Sequence, residues 1–248
     1  MVTGNRVDIL GIKVDNVSMG EAISKVVKYI EEGGRCRLIV TPNSEIIVRA
    51  RRDSNLAHIL NMADLTIPDG AGVVLASRLI KPALKERVAG FDLMKELLKE
   101  AASKGLKVFF LGGKQEVIKK AVANIEKKYP GLKISGYHHG YLNKELENKV
   151  IGEINTLKPH LIFVGMGVPR QEEFLYNNLT ELKAGVAMTV GGSFDILAGN
   201  LKRAPRWMQK NHLEWLYRLR QEPKRIIRMM ALPRFVYLVF KKYLKDRL

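Results

Sequence analysis

Asp69 is the residue of this chain best placed to move a proton. It stands in the stretch Ala63–Gly72, ADLTIPDGAG. The apolar run Leu65–Ile67 reads as the end of a buried strand, and Pro68 stops it. Gly70 and Gly72 loosen the backbone ahead of an apolar helix over Val73–Leu79. A carboxylate is thereby offered at the carboxyl edge of a parallel sheet, beside a helix N-terminus. That crevice is where open α/β sheets bind ligands. The same aspartate would also serve as an ordinary helix cap, and spacing alone leaves the two readings level.

Three strand-to-helix loops carry glycine pairs: Gly112-Gly113, Gly165-x-Gly167 and Gly191-Gly192. Glycine lets the backbone approach a phosphate, and the N–H groups of the following helix then face the anion. Any one of them could be a tight turn, but three on one sheet edge point to a phosphorylated or nucleotide ligand. Gly165–Arg170 lacks the third glycine of a dinucleotide fingerprint, and Gly112-Gly113-Lys114 lacks Walker A spacing. Thr41, Asn43, Gln171, Ser193 and Asp195 supply the hydrogen-bonding groups a sugar or nucleoside needs, although each could instead cap a helix. Arg87, in the aperiodic basic loop Lys81–Gly90, could clamp a phosphate or lie solvated on the surface. His138-His139 has no third ligand at metal spacing, and no Asp-x-Asp pair occurs. Serine hydrolase and zinc protease signatures are missing too. Neither a metal nor a cofactor is expected.

The elements that must position these residues follow from periodicity. Val7–Val17 reads as a hairpin around Gly11. Ser18-Met-Gly-Glu21 has capping-box spacing and opens a helix that Gly33-Gly34 ends. Strands are expected at Arg37–Val40, Leu65–Ile67, Lys107–Leu111, Lys133–Tyr137, Leu161–Val164 and Val186–Val190, with helices between them. One helix is expected to be capped by Asp92 and to end at Gly105. Strands alternating with helices at this pitch predict an α/β, Rossmann-like, mostly parallel sheet covered by helices on both faces. An N-terminal β-hairpin precedes it and a helical C-terminal appendage follows.

Composition divides the 248 residues near position 202. Lys202–Leu248 holds fourteen Lys/Arg against three acids, net +11, whereas the first 201 residues carry 28 basic and 22 acidic residues, net +6. The expected organisation is therefore an α/β core, 1–201, and a basic amphipathic appendage, 202–248. In the appendage Arg206, Lys210, Arg218 and Arg220 interleave with Leu213, Trp215, Leu216, Tyr217 and Leu219, and Pro223 restarts a helix on which Arg225 and Arg228 share a face. Apolar bulk follows at Ile226-Ile227, Met229–Leu232 and Phe235–Phe240, with Pro233-Arg234 expected to break it. Such interleaving suits either an interfacial helix on an anionic membrane or an amphipathic helix packed on the domain or a second subunit. No apolar run of about 18 residues predicts a membrane span, and no secretory signal is expected. The lone cysteine, Cys36, excludes an internal disulfide framework and fits a reducing compartment.

Taken together, the loops resemble one family. Thr41-Pro-Asn-Ser-Glu45, Pro68-Asp-Gly70, Glu86-Arg-Val-Ala-Gly-Phe-Asp92, Gly167-Val-Pro-Arg-Gln-Glu172, Gly191-Gly-Ser-Phe-Asp195 and Arg203-Ala-Pro205 occur in the order found in the WecG/TagA/CpsF family, glycosyltransferase family 26. Glu214-Trp-Leu-Tyr-Arg218 and Glu222-Pro-Lys-Arg225 are similar to its C-terminal appendage, and the TagA branch is the nearest in pattern. The resemblance implies inverting transfer of N-acetylmannosamine from UDP-N-acetylmannosamine to the 4-hydroxyl of N-acetylglucosamine on undecaprenyl diphosphate, in the wall teichoic acid linkage unit. By the same resemblance Asp69 is the base, Thr41, Asn43 and Gln171 hold the sugars, and Arg87 acts on the diphosphate. Arg218, Arg225 and Arg228 complete the pocket over the lipid diphosphate. With the glycine loops, the expected substrate-binding positions are Gly112, Gly113, Gly167, Gly192, Ser193 and Asp195. The implied location is cytoplasmic, peripheral on the inner face of the membrane. Oligomeric state stays open, with a homo-oligomer among the partners allowed.

Two other classes share some features. A nucleotide-sugar oxidoreductase or epimerase would use glycine loops, but the broken fingerprint argues against it. A nucleic-acid binder would use the basic tail and bind with steep salt dependence, yet it would leave the polar loops without a role. A UDP-sugar donor other than N-acetylmannosamine suits sister branches.

Overall fold

The computed structural model describes residues 6–80, 82–211, 213–223 and 226–245. A hairpin of β1 (Arg6–Ile9) and β2 (Ile12–Asp15) is followed by α1 (Met19–Glu32), β3 (Arg37–Val40), α2 (Ser44–Ala50) and α3 (Ser54–Met62). Next come β4 (Leu65–Thr66), α4 (Ala71–Ile80), α5 (Gly90–Lys104), β5 (Lys107–Gly112), α6 (Gln115–Lys128) and β6 (Lys133–His138). Then follow α7 (Lys144–Leu157), β7 (Leu161–Gly165), α8 (Arg170–Asn178), β8 (Val186–Thr189) and α9 (Ser193–Leu197). The appendage forms α10 (Arg206–Lys210), α11 (Glu214–Gln221), α12 (Ile226–Met229) and α13 (Ala231–Lys245).

The six strands after the hairpin pair in parallel, in the order β4-β3-β8-β7-β5-β6. Each central strand is apolar on both sides, as a sheet with two covered faces requires. Leu38 and Val40, Phe109 and Leu111, and Ile162 and Val164 point into the core shared with the hairpin, α2, α3, α7 and α8. Their neighbours Ile39, Val108, Phe110, Leu161 and Phe163 point into the core shared with α1, α5, α6 and α9. Parallel strands and period-two burial deliver every βα loop to one edge.

The short edge strand β4 is held by the hairpin. Asp15, buried at the end of β2, accepts the Thr66 N–H at 2.8 Å and pairs with Arg6 at 3.2 Å. The carboxylate thus supplies the acceptor that the sheet edge lacks. Ile67 N–H continues the pairing by donating to Val40 O at 2.9 Å, and two residues later the chain reaches Asp69.

Two local expectations change. Asp92 is not a cap: α5 starts at Gly90 with Ala89 as N-cap, and Asp92 lies in the first turn, paired with Lys95 and Arg203. Pro233-Arg234 does not break the terminal helix, because α13 begins at Ala231 and Pro233 falls in its first turn. There the backbone N–H has no intrahelical partner to lose. The Ser18 capping box forms as the spacing predicts.

Candidate active site

The floor of the site is the end of β4. Asp69 accepts a hydrogen bond from the backbone N–H of Gly90, the first residue of α5. Ala89 offers that helix no side-chain cap, so Asp69 fills the role from 21 residues upstream in the chain. The cap reading and the carboxylate-in-a-crevice reading therefore meet on one residue, although the capped helix is α5 and not α4. Gly90 also packs tightly on Thr41: a Cβ there would sit 3.0 Å from the Thr41 methyl, so the threonine would have to give way. Thr41, at the end of β3, turns its hydroxyl to Thr189 O at 3.2 Å and so joins the ends of β3 and β8. Asn43 caps α2 by accepting the Ile46 N–H at 3.1 Å, and its Cβ packs beside Gly70.

Asp69 is only partly exposed, and protein surrounds its carboxyl closely. That burial is the largest influence and raises its pKa. Arg87 and Arg218 oppose the rise, Glu214 adds to it, and the Gly90 N–H again opposes it. The balance is a carboxyl above the usual aspartate range, between two guanidinium groups.

Those arginines come from different parts of the chain. Arg87, in the loop before α5, is half-buried and bonded to Glu214 at the start of α11. Arg203 bonds Asp92 through two nitrogens, one at 2.5 Å, lies over the Phe91 ring, and reaches Glu214 at 3.6 Å. Glu214 thus bridges Arg87 of the core and Arg203 at the start of the appendage, and lies near the Asp69 crevice. Arg218, four residues further along α11, shares the Glu214 side of that helix. Arg228, on α12, lies 3.9 Å from Glu45 in the first turn of α2. Arg225 lies outside the described residues.

The glycine loops gather further along the same edge. Gly112 sits so close to β7 that a Cβ would stand 2.3 Å from Gly165 O, so only glycine fits. Gly113, Lys114, Tyr141, Asp195 and Asn200 line a cavity of about 350 Å³. Its walls come from the β5 loop, the first turns of α6, the chain before α7, and α9 with the turn that follows it. Gly167 keeps a left-handed φ of 79° at the turn into α8. Ser193 is buried and donates its hydroxyl to Val190 O at 2.6 Å, holding the Gly191-Gly192 turn. Gln171 is 2% exposed, and both ends of its amide are engaged, with Gly191 N–H at 3.1 Å and with Glu172 at 2.8 Å. In this arrangement Gln171 acts on the edge by holding a loop. Four inter-strand steps separate β4 from β5, about 19 Å. One edge therefore carries an acid with arginines at one end and a polar, glycine-lined hollow at the other.

Sequence reasoning singled out Asp69, Arg87 and Arg218, which the fold brings to one crevice. It passed over Glu214 and Gly90, although the Glu214-to-Arg218 spacing is one helical turn. It also passed over Lys114, Tyr141 and Asn200 of the cavity. Among the described residues no group of three or more His, Cys, Asp or Glu could hold a metal ion.

A Rossmann-like parallel sheet with an acid and anion-facing loops on its carboxyl edge is a ligand-binding α/β architecture of the kind many transferases use. The chain belongs to the Glycosyl transferase WecG/TagA/CpsF family, whose profile matches residues 7–248. It is an enzyme, a glycosyltransferase of the hexosyl-transferring type. Over 206 residues it is 41% identical to the N-acetylglucosaminyldiphosphoundecaprenol N-acetyl-beta-D-mannosaminyltransferase of Bacillus subtilis (strain 168), covering 83% of this chain and 79% of that protein. The protein of the same name from Staphylococcus aureus (strain MW2) is 38% identical over 237 residues, 95% of this chain and 92% of that one.

Proposed function

We propose that this chain transfers N-acetylmannosamine from UDP-N-acetylmannosamine to the 4-hydroxyl of N-acetylglucosamine on undecaprenyl diphosphate, with inversion, in assembly of the wall teichoic acid linkage unit. The names of its relatives support the sugar and the acceptor. The observation that carries the mechanism is Asp69, a partly open carboxyl with a raised pKa between Arg87 and Arg218. A carboxylate whose pKa is raised is a stronger base for removing an alcohol proton than an ordinary aspartate.

In this reading the acceptor O4 attacks the anomeric carbon while Asp69 takes its proton. The bond from that carbon to the donor's phosphate oxygen breaks, and its electron pair leaves with UDP. Arg87 and Arg218 stabilise the charge that develops there, the contribution that usually dominates such transfers. Gly112, Gly113, Gly167 and Gly192 let backbone approach the donor, Asp195 and the 350 Å³ hollow receive its nucleoside part, and Thr41 and Asn43 border the sugars. Ser193 and Gln171 serve by shaping the Gly191-Gly192 turn.

The appendage supplies the lipid side. Trp207, Trp215, Ile227, Met230, Val236, Tyr237 and Phe240 are exposed among arginines and lysines. No helix among the described residues is long and apolar enough to cross a membrane. Apolar and aromatic side chains mixed with cationic ones suit a surface of anionic lipid, so the enzyme works as a peripheral protein on the inner face of the membrane. The deciding experiment is turnover of purified protein against a panel of UDP-sugars with a short-chain lipid-diphosphate acceptor, with and without chelator. Turnover restricted to UDP-N-acetylmannosamine and indifferent to chelator supports the reading, and preference for another UDP-sugar moves the chain to a sister activity.

A further inference from the structure

One acid at the loop edge has no part in that scheme. Glu172, in the first turn of α8, is 1% exposed, and one of its carboxylate oxygens accepts the Gln171 Nε2–H at 2.8 Å. The other oxygen is buried without a hydrogen-bond partner among the described residues. An unpaired buried carboxylate oxygen is costly, and such costs persist where a group is needed. Gln171 passes the contact on, because its Oε1 accepts the Gly191 N–H at 3.1 Å. The two partners together decide which way the amide faces: an N–H demands its oxygen, and a carboxylate demands its nitrogen. Gly165 must be glycine beneath this turn, since a Cβ there would stand 2.6 Å from the Gly191 carbonyl. Val190 O then takes both the N–H and the hydroxyl of Ser193.

We infer that Glu172 is a positioning residue for the donor-facing turn Gly191–Ser193: its carboxylate holds the Gln171 amide, and the amide holds Gly191. The catalytic consequence rests on the donor site proposed above, whereas the relay itself stands on the contacts alone. The strength of the relay depends on charge. An ionised carboxylate makes a shorter and stronger hydrogen bond than a neutral acid. Burial pushes the Glu172 pKa up to about 7, against the Gln171 hydrogen bond, its own backbone N–H and the Arg49 guanidinium on α2, with the adjacent Glu173 adding to the rise. The relay therefore tightens as pH rises through neutrality, and the turn tightens with it.

The test follows the Gly191 amide resonance of the full chain by NMR from about pH 5.5 to about pH 8.5. In the wild-type protein it shifts with a midpoint near that of Glu172. In Glu172→Gln, whose amide oxygen still accepts from Gln171 but whose charge never changes, it stays still. A wild-type resonance that does not move, or one that moves identically in Glu172→Gln, overturns the inference whatever the protein binds. In parallel, affinity for UDP-N-acetylmannosamine, whose diphosphate diester loses no proton in this range, is measured by calorimetry. Wild type tightens about threefold or more from about pH 6 to about pH 8, and Glu172→Gln is flat. Failure of both proteins to bind the nucleotide sugar, with the Gly191 titration intact, refutes the donor-site reading and leaves the relay standing.

Discussion

The βα-loop edge and the C-terminal appendage hold the two halves of the site by opposite means. At the loop edge, geometry is locked by close contact: Gly112 against Gly165, Gly90 against Thr41, and buried Gln171, Glu172 and Ser193 bonded to one another or to backbone. In the appendage, α11 and α12 bury no residue, and α13 buries only Phe235 and Val239. What ties α11 down is charge, through Glu214 with Arg87 and Arg203. A packed edge keeps its shape before substrate arrives. The α11 ion pairs are half-buried, whereas α13 is seated on the core through Phe235 and Val239. The contrast suits the reaction proposed above, in which a soluble nucleotide sugar is placed precisely and a lipid-linked acceptor is admitted.

Five measurements break or sharpen that contrast, in descending order of effect. Asp69→Asn lowers turnover by about two to four orders of magnitude if Asp69 is the base. A variant within a few-fold of wild type, measured with the lipid acceptor, moves the proton acceptor elsewhere. Next, Phe163→Ala, in the middle of β7, costs the whole fold about 3–5 kcal/mol in denaturant unfolding. Phe235→Ala leaves the main transition in place and instead raises hydrogen exchange in α13. Equal losses for the two variants would mean that the appendage folds as one unit with the core.

Third, Glu172 keeps its proton in the folded chain up to about pH 7, whereas an ordinary glutamate releases it near 4.5. The folded state then binds more protons than the unfolded state across that window, so stability falls as pH rises through it. Unfolding experiments on wild type show this decline, by up to about 3 kcal/mol. Glu172→Gln lacks it, and parallel curves for the two would place the Glu172 pKa near the ordinary value. Fourth, replacing Ile227, Val236 and Phe240 together by Glu cuts binding to anionic vesicles by about tenfold or more, with the melting temperature unchanged. Undiminished binding removes the membrane from the account. Fifth and smallest, Glu214→Gln removes a neighbour that raises the Asp69 pKa, so the acid limb of the kcat/KM profile moves to lower pH. A shift the other way would mean that Glu214 acts chiefly by keeping Arg87 and Arg218 near the acid.

Much of this was readable in the chain. The Ser18 box, the Asn43 cap and the period-two burial of the strands are local patterns that work over three or four residues. Asp92 and Pro233 were misread for the same local reason. An acid before an apolar run looks like a cap, and a proline in a helical stretch looks like a break, until the actual helix start is known. The Arg87–Glu214 and Arg203–Asp92 pairs span 127 and 111 residues, and no spacing announces them.

By itself, the sequence determined the alternation of strands and helices, the delivery of glycine loops to one edge, the basic tail, and the motifs that mark the family, because each depends on residue type and short-range period. Only the tertiary structure decided that Asp69 caps α5, that Gln171 faces inward, and that Glu214 stands between the arginines of the site. Those outcomes depend on which groups share a desolvated volume, and desolvation is created by the packing of distant segments.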